Sequence, residues 1–366
     1  MSEAGSPAAA RPIIEAFVEP STGLALAEMQ AISGLESTAG GLLLKLRLPV
    51  PVGGLVAPLQ AGIAAALAAA GIQQPLRLEL EQVITARAVQ KPLKPMSGIR
   101  NIVAVGSAKG GVGKSTVAVN LALAWAAQGA RVGLLDADVY GPSQPLLLGV
   151  AGVRPETRDN KRIVPVSVHG LKLMSIGLLI DPEQPAIWRG PMVTQALTQL
   201  LTETEWGELD YLVLDLPPGT GDLQLTLAQR VPVAGAVVVT TPQKIAVADA
   251  RKGLRMFEKV SVPVLGVVEN MSTHVCSHCG HEDALFGHGG GEALARECGT
   301  ELLARLPLDA AIGVESDQGR PTVIGAPGSP RAQAYEQMAR RVAGALARRP
   351  RDRAGAFPGV VVERTT

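Results

Sequence analysis

The stretch from His274 to His281 reads HVCSHCGH and holds two of the chain's three cysteines and three of its five histidines. Cys276 and Cys279 have the Cys-x-x-Cys spacing that can bind a metal, hold part of an iron–sulfur cluster or carry thiol redox chemistry. Two thiolates are too few for a [4Fe–4S] cluster, which takes four. No second Cys-x-x-Cys is present to close a zinc ribbon. His274, His278 and His281 could supply nitrogen ligands to zinc, but one lies inside the cysteine pair, unlike the separated Cys₂…His₂ arrangement. A redox pair usually opens a helix, and Gly280 with the FGHGGG beyond it argues against one here. Cys298 lies 19 residues past Cys279 in EALARECG and is expected to be a buried small apolar residue of a helix.

A second group of residues suits phosphate chemistry. IVAVGSAKGGVGKSTVAVNLALAWAAQG predicts a strand from Ile102 to Val105, a glycine-rich turn, and a helix from Lys114 to Gln128 closed by Gly129. Glycines there let successive backbone N–H groups aim at one anion, and the helix N-terminus adds its dipole. The expected nucleotide cradle is Gly110, Gly111, Val112, Gly113, Lys114, Ser115 and Thr116. Lys114 would reach the β- and γ-phosphates, and the Ser115 hydroxyl would ligate Mg2+. The strict G-x-x-x-x-G-K-[ST] pattern is broken because position 108 is alanine, and a second lysine, Lys109, precedes the glycines.

Acids lie where such an enzyme needs them. RVGLLDADVYGPSQP puts Asp136 and Asp138 at the end of the second strand, and YLVLDLPPGTGD ends a later strand at Asp215, the Walker B position. The carboxyl ends of parallel strands open onto the ligand crevice. The PPGTGD tail reads as a switch that senses a γ-phosphate.

The elements that must hold these residues are legible as short apolar runs: IVAVG, VGLLDAD, LKLMSIG, YLVLDLPPG, GAVVVTTP and VLGVVENM. Near-continuous apolar strands alternating with helices predict an α/β fold with a mostly parallel sheet covered on both faces. A small α/β domain is expected over residues 1–95, an ATPase domain over 96–345 and a flexible tail over 346–366. Within the first, LLLKLRLPV (Leu42–Val50) and LRLELEQV (Leu76–Val83) predict strands, and a helix starting no earlier than about Leu59 ends at Gly71. VQKPLKPMSGIRN, residues 89–101, reads as a linker. The uncharged stretch Leu48–Leu76 is broken by prolines and glycines, so its helix falls short of the roughly 20 apolar residues of a membrane span.

Charge is nearly balanced, at +1 over 34 basic and 33 acidic residues, so no global field points to nucleic acid or a membrane surface. Apolar residues make up 47% and aromatics only 3%, so the core must be mostly aliphatic. The N-terminus has no basic region followed by an apolar run, so no secretion signal is read. Few cysteines then suggest a reducing, cytoplasmic setting.

The blocks SAKGGVGKSTVAVNLA, LDADVYGPSQPLLLG, WRGPMVTQALTQLL, DYLVLDLPPGTGDLQLTLAQ, DARKGLRMFEKVSVPVLGVVENMS and CSHCGHEDALFG span Ser107 to Gly287 in order. Together they resemble the Mrp (ApbC) family of iron–sulfur P-loop ATPases. K-G-G-x-G-K-S-T resembles the deviant phosphate loop of the class that includes MinD, ParA and the nitrogenase iron protein. The resemblance implies a nucleotide-sandwich homodimer in which Lys109 reaches the partner's phosphates. It implies that Asp136 and Asp215 hold Mg2+ through water and that Asp138 orients or deprotonates the attacking water. Asn270 would contact the base of ATP, with Pro307 and Asp309 near it. Cys276 and Cys279 of two subunits would share one [4Fe–4S] cluster.

The function so implied is an ATP-dependent carrier with weak hydrolysis. It would receive clusters from upstream iron–sulfur assembly proteins and pass them to target apoproteins. The N-terminal segment resembles, more weakly, an accessory domain of iron–sulfur assembly proteins. It has no cysteine, which leaves partner contact or stability as its role. A ParA- or MinD-like positioning ATPase with structural zinc is the alternative. It would need a basic surface or an amphipathic anchor, and QAYEQMARRVAGALARR has no broad bulky apolar face. An electron donor like the nitrogenase iron protein is a third reading, but cluster cysteines in that family lie far apart in sequence.

Overall fold

The six apolar runs become six strands of one eight-stranded sheet, whose two edge strands, Val166–Val168 and Leu302–Arg305, were not among them. Its order is Val166–Val168, Leu171–Ser175, Val132–Asp136, Leu209–Asp215, Ile99–Gly106, Gly235–Thr240, Val264–Glu269 and Leu302–Arg305. All neighbours pair in parallel except the edge strand Val166–Val168, which runs antiparallel. The structure, a computed structural model, describes residues 6–159, 161–180, 190–276 and 278–352. Trp188 and Arg189 of the WRGPMVTQ block fall outside them.

The central strand Ile99–Gly106 feeds the glycine turn and then the helix Lys114–Ala127. That helix is apolar on every side because it is buried on every side, between the sheet and the C-terminal helix Pro330–Ala347. Trp125 stacks on Tyr211 with ring centroids 4.2 Å apart and donates its indole N–H to the Ala339 carbonyl at 2.9 Å. Two of the scarce aromatics thus sit at the joint between helix and sheet.

Three further strands, Ile32–Thr38, Gly41–Leu48 and Leu76–Gln82, form a separate sheet in the N-terminal segment, covered by the helices Pro7–Ala16 and Val56–Ala69. The second helix begins three residues before the expected Leu59. Pro58 is tolerated because it falls in the first turn, whose N–H groups have no intrahelical acceptor. The opening helix and the first of the three strands carried no clear period and were not anticipated.

Residues 89–101 are pinned rather than free. Gln90 is buried and donates to the carbonyls of Ala228 and Val231, both at 2.7 Å, while accepting the Val233 N–H. Ile99 to Asn101 already belong to the central strand. The start of the expected tail is also packed. Leu346 is buried, Arg348 donates to the Thr22 carbonyl at 2.7 Å, and Arg351 bridges to Arg87.

The N-terminal segment meets the rest of the chain through backbone at two glycines. Gly53 donates its N–H to the Gln128 carbonyl at 2.9 Å, and a Cβ on it would lie 2.7 Å from Gln128 Cα. A Cβ on Gly344, inside the C-terminal helix, would lie 1.8 Å from the Ser21 carbonyl oxygen. A Gly→Ala change inside a helix ordinarily gains up to about 1 kcal/mol. Gly344→Ala should instead cost about 1–3 kcal/mol by overpacking, lowering the urea midpoint. A raised midpoint would show that the N-terminal segment does not close on this helix.

Candidate functional site

The carboxyl ends of three adjacent strands bring Lys114, Asp136, Asp138 and Asp215 together, as their positions in sequence predict. Lys114 Nζ makes a short contact with Asp215 Oδ1 and lies 3.1 Å from Ser115 Oγ and 3.9 Å from Asp138 Oδ2. Gly111 and Gly113 have φ of +85° and +80°, which keeps the loop wrapped around the helix N-terminus. Lys109, Gly110 and Gly111 are exposed at its crest, Val112 is buried beneath, and Ser115 and Thr116 are half-buried in the first helical turn. Lys109 is thus open to solvent at the crest of the loop, while Lys114 is buried among the acids.

Asp136 is fully buried. It accepts from the backbone N–H groups of Asp138 and Gln144 and from the Ser175 hydroxyl, each at 3.1 Å. Burial, and then the Asp215 carboxylate, push its carboxyl up to about 7. Burial also raises the Asp138 carboxyl, opposed by the Lys114 ammonium. Three acids share one ammonium, a local deficit of positive charge, although they are not placed to ligate a metal ion directly as a group.

Sequence reasoning missed Gln144. Its side-chain amide donates to Asp215 Oδ2 at 2.7 Å and to the Ser115 carbonyl at 3.1 Å, so it ties the Walker B acid to the phosphate loop. Only its place in the GPSQP stretch after Asp138 could have flagged it. Gln224 was missed too. It donates to the Pro217 carbonyl at 2.8 Å, while Gly219 donates to Ser107, which joins the PPGTGD segment to the start of the loop.

Beside the loop lies a cavity of about 450 Å³ lined by Gly113, Thr116, Asn270, Pro307, Asp309 and Tyr335, among others. Asn270, Pro307 and Asp309 thus meet in one place with the loop. Asn270 donates to the Val112 carbonyl at 2.9 Å, and a Cβ on Gly113 would lie 2.2 Å from its Nδ2, so position 113 takes only glycine on two counts. Asp309 caps the helix Ala310–Asp317 by accepting the Ala311 N–H at 2.8 Å.

Cys276 and Cys279 sit on a hairpin of the strands His274–Val275 and Glu282–Asp283. Cys276 is half-buried and Cys279 exposed. The Cys276 thiol is held below the ordinary thiol range, first by the backbone N–H of Cys279, then by that of His278. Amides aimed at a sulfur favour the thiolate, the form that binds metal. The turn is closed by the Cys276 N–H donating to the His281 carbonyl and the Gly280 N–H to the Cys276 carbonyl, both at 2.9 Å, and its inner strand is anchored because Ser272 donates to Leu306 at 2.9 Å and Leu308 donates to Thr273 at 2.7 Å.

His274 turns away from the thiols, with Nδ1 3.0 Å from the Leu308 carbonyl. Among the described residues no three His, Cys, Asp or Glu side chains gather to hold a metal ion, which leaves a one-chain Cys₂His₂ zinc site without geometric support. Cys298 is the half-buried cap of the helix Gly290–Glu297 rather than a core residue, because the helix ends there beside solvent. Burial and neighbouring Glu297 raise its thiol.

Parallel sheet, phosphate loop and strand-end acids together define a P-loop NTPase. The model of ParA-type NUBPL iron-transfer P-loop NTPases matches residues 98–343, and the chain belongs to that family. An iron-sulfur cluster carrier protein of Pseudomonas fragi is 60% identical over 245 residues, 67% of this chain and 85% of the relative. The protein of the same description from Escherichia coli K12 is 57% identical over 251 residues, 69% of this chain and 68% of its own. A nucleotide-binding protein from Archaeoglobus fulgidus, solved in complex with ADP, superposes with a TM-score of 0.57 at 39% identity, over 64% of this chain and 91% of its own.

The Asp136 carboxyl keeps its proton in the folded chain at pH values where the unfolded chain, with an ordinary value of 3.8, has lost it. Folding therefore takes up a proton between those values, and stability from this group falls as pH rises from about 4 toward about 7. Asp136→Asn should remove that slope. Relative to wild type, the nucleotide-free variant should gain on the order of 1–3 kcal/mol between about pH 5 and about pH 8, read from urea midpoints. An unchanged difference across that range would show Asp136 ionised throughout.

Proposed function

We propose that the chain is an ATP-dependent carrier that holds a [4Fe–4S] cluster between two subunits and passes it to apoproteins. The observation that carries this reading is the thiol pair on an exposed hairpin whose stem pairs with the wall of the cavity beside the phosphate loop. One chain offers two thiolates, and a two-fold axis between hairpins offers the four that the cargo needs. The family model and the carrier relatives support the same reading.

In this reading the phosphates of ATP displace Asp215 from Lys114, which then binds the β- and γ-phosphates while the loop's N–H groups hold the oxygens. Mg2+, when bound, neutralises charge developing on the phosphates; Ser115 would hold it directly, and Asp136 and Asp215 through water. Asp138 orients the attacking water and takes its proton. Lys109 of the opposite subunit places a charge on the transferring phosphoryl group. Asn270, Pro307 and Asp309 enclose the base. Acceptors and donors of the cluster are other iron–sulfur proteins. Residues 1–95 form a partner-contacting or stabilising unit and 96–345 the ATPase, against which residues 346–352 are packed. The protein works in the cytoplasm as a homodimer. No described helix is long and apolar enough to cross a membrane.

Anaerobic reconstitution with iron and sulfide should give a broad band at roughly 400 nm and about two irons per chain. Cys276→Ala/Cys279→Ala should abolish both and stop delivery to an apoprotein. A colourless protein with about one zinc per chain would instead favour the positioning-ATPase reading. Lys109→Ala should lower kcat for ATP hydrolysis by about 100-fold or more while leaving nucleotide affinity within a few-fold. An unchanged kcat would remove Lys109 from the transition state.

A further inference from the structure

The thiol hairpin and the cavity beside the phosphate loop share a wall. His274 and Leu285 flank the hairpin on its two sides, and both line that cavity together with Leu308. The Leu308 carbonyl can only accept, so His274 carries its proton on Nδ1 and donates it there at 3.0 Å. Leu308 in turn donates its own N–H to Thr273 at 2.7 Å. His274 and Leu308 are thus cross-linked one residue away from Pro307 and Asp309, on the same side of the cavity. Cys276 lies two residues beyond His274, about 7 Å along an extended chain.

The two ends of the loop are fixed by one buried acid that the function has not used. Glu269, fully buried at the end of the strand Val264–Glu269, accepts from the Ser272 hydroxyl at 2.7 Å and from the Gly291 N–H at 2.6 Å. A Cβ on Gly291 would come within 2.9 Å of Glu269 Cβ. The loop between Ser272 and Gly291 is therefore closed at its base, while its inner strand leans on the cavity and its tip, with Cys279, is exposed. A ligand that fills the whole cavity reaches His274, the residue of the inner strand that lines it.

We propose that His274 is a positioning residue that couples the nucleotide to the thiol pair. A base in the cavity packs on the His274 ring, holds the segment Thr273–Cys276 against Leu308, and suppresses the local opening that frees Cys276, the half-buried member of the pair. The inference rests on the reading that this cavity takes the nucleotide base. Coupling of this kind is reciprocal, so a change at the thiols alters nucleotide affinity by the same factor. It also gives the ATPase a route to the cargo that runs through the polypeptide and not through the γ-phosphate switch.

The test uses the full cluster-free chain with Cys298→Ser, so that only the pair reacts. Iodoacetamide alkylation is followed by intact mass under reducing, anaerobic conditions, with and without saturating Mg-ADP. Occupancy is checked separately with a fluorescent ADP analogue. Cys279 is exposed and should react quickly in both states, whereas ADP should slow the second alkylation, that of Cys276, by about fivefold or more. In His274→Ala with ADP bound, the slowing should shrink below about 1.5-fold. His274→Asn, whose amide can still donate to Leu308, should keep part of it. Equal slowing in His274→Ala, or none in the parent with ADP bound, overturns the coupling and leaves the base-cavity reading intact. A cavity-filling Ile312→Trp that leaves ADP affinity unchanged removes the base from this cavity, and the coupling falls with it.

Discussion

The catalytic end of the molecule depends on one buried ammonium among three carboxylates. Lys114, Asp136, Asp138 and Asp215 stand on different elements, and only the parallel register of the sheet brings them together: Asp215 pairs in register with Asp136 on one side and with Val105 on the other. Among the described residues Lys114 is the cation in contact with Asp138 and Asp215, and Asp136 is left with a carboxyl that ionises reluctantly. The arrangement is tense in an electrostatic sense. In the proposed reading, incoming phosphates take the lysine away from Asp215, and the acids then call for a cation of their own. On that reading nucleotide and Mg2+ are linked by charge balance before any specific contact is considered.

Much of this was legible beforehand, and the reason is local. A phosphate loop is read from consecutive residues, because its glycines and its lysine act within a few positions of one another. Strand-end acids are read from an apolar run that stops at a carboxylate. The parallel sheet followed from the same runs. What escaped was non-local. Gln144 gains its role only because Asp215, 71 residues later, arrives beside it. Glu269 looks like the polar end of a strand until Gly291 closes on it. Gln90 sits in a stretch of prolines and lysines that reads as linker, and only the docked helix ending near Arg230 supplies carbonyls for its amide.

The N-terminal segment shows the same limit from another side. Its period-2 strands were visible, but its attachment was not. The contact is made by main chain at Gly53 and Gly344, and glycine carries no side-chain pattern to announce it. The apolar residues of the small sheet and those of the helix Lys114–Ala127 merge into one continuous core. The boundary near residue 95 is thus a change of sheet, not a gap in packing.

The placement of the thiol pair bears on what it carries. A structural zinc site stabilises a fold because its ligands are closed around the ion and shielded by the chain. Here the cysteines stand outside both hydrophobic cores, on a hairpin of two-residue strands, with Cys279 open to solvent. The fold has its own reasons to exist without them: Glu269 closes the base of the loop, and Leu306 and Leu308 order its inner strand. Amides aimed at the Cys276 sulfur keep it ready as a ligand although no third ligand is at hand among the described residues. A site that is poised, incomplete and irrelevant to the core suits a cargo that must be completed by a second copy and later released. It does not suit a metal that holds the chain together.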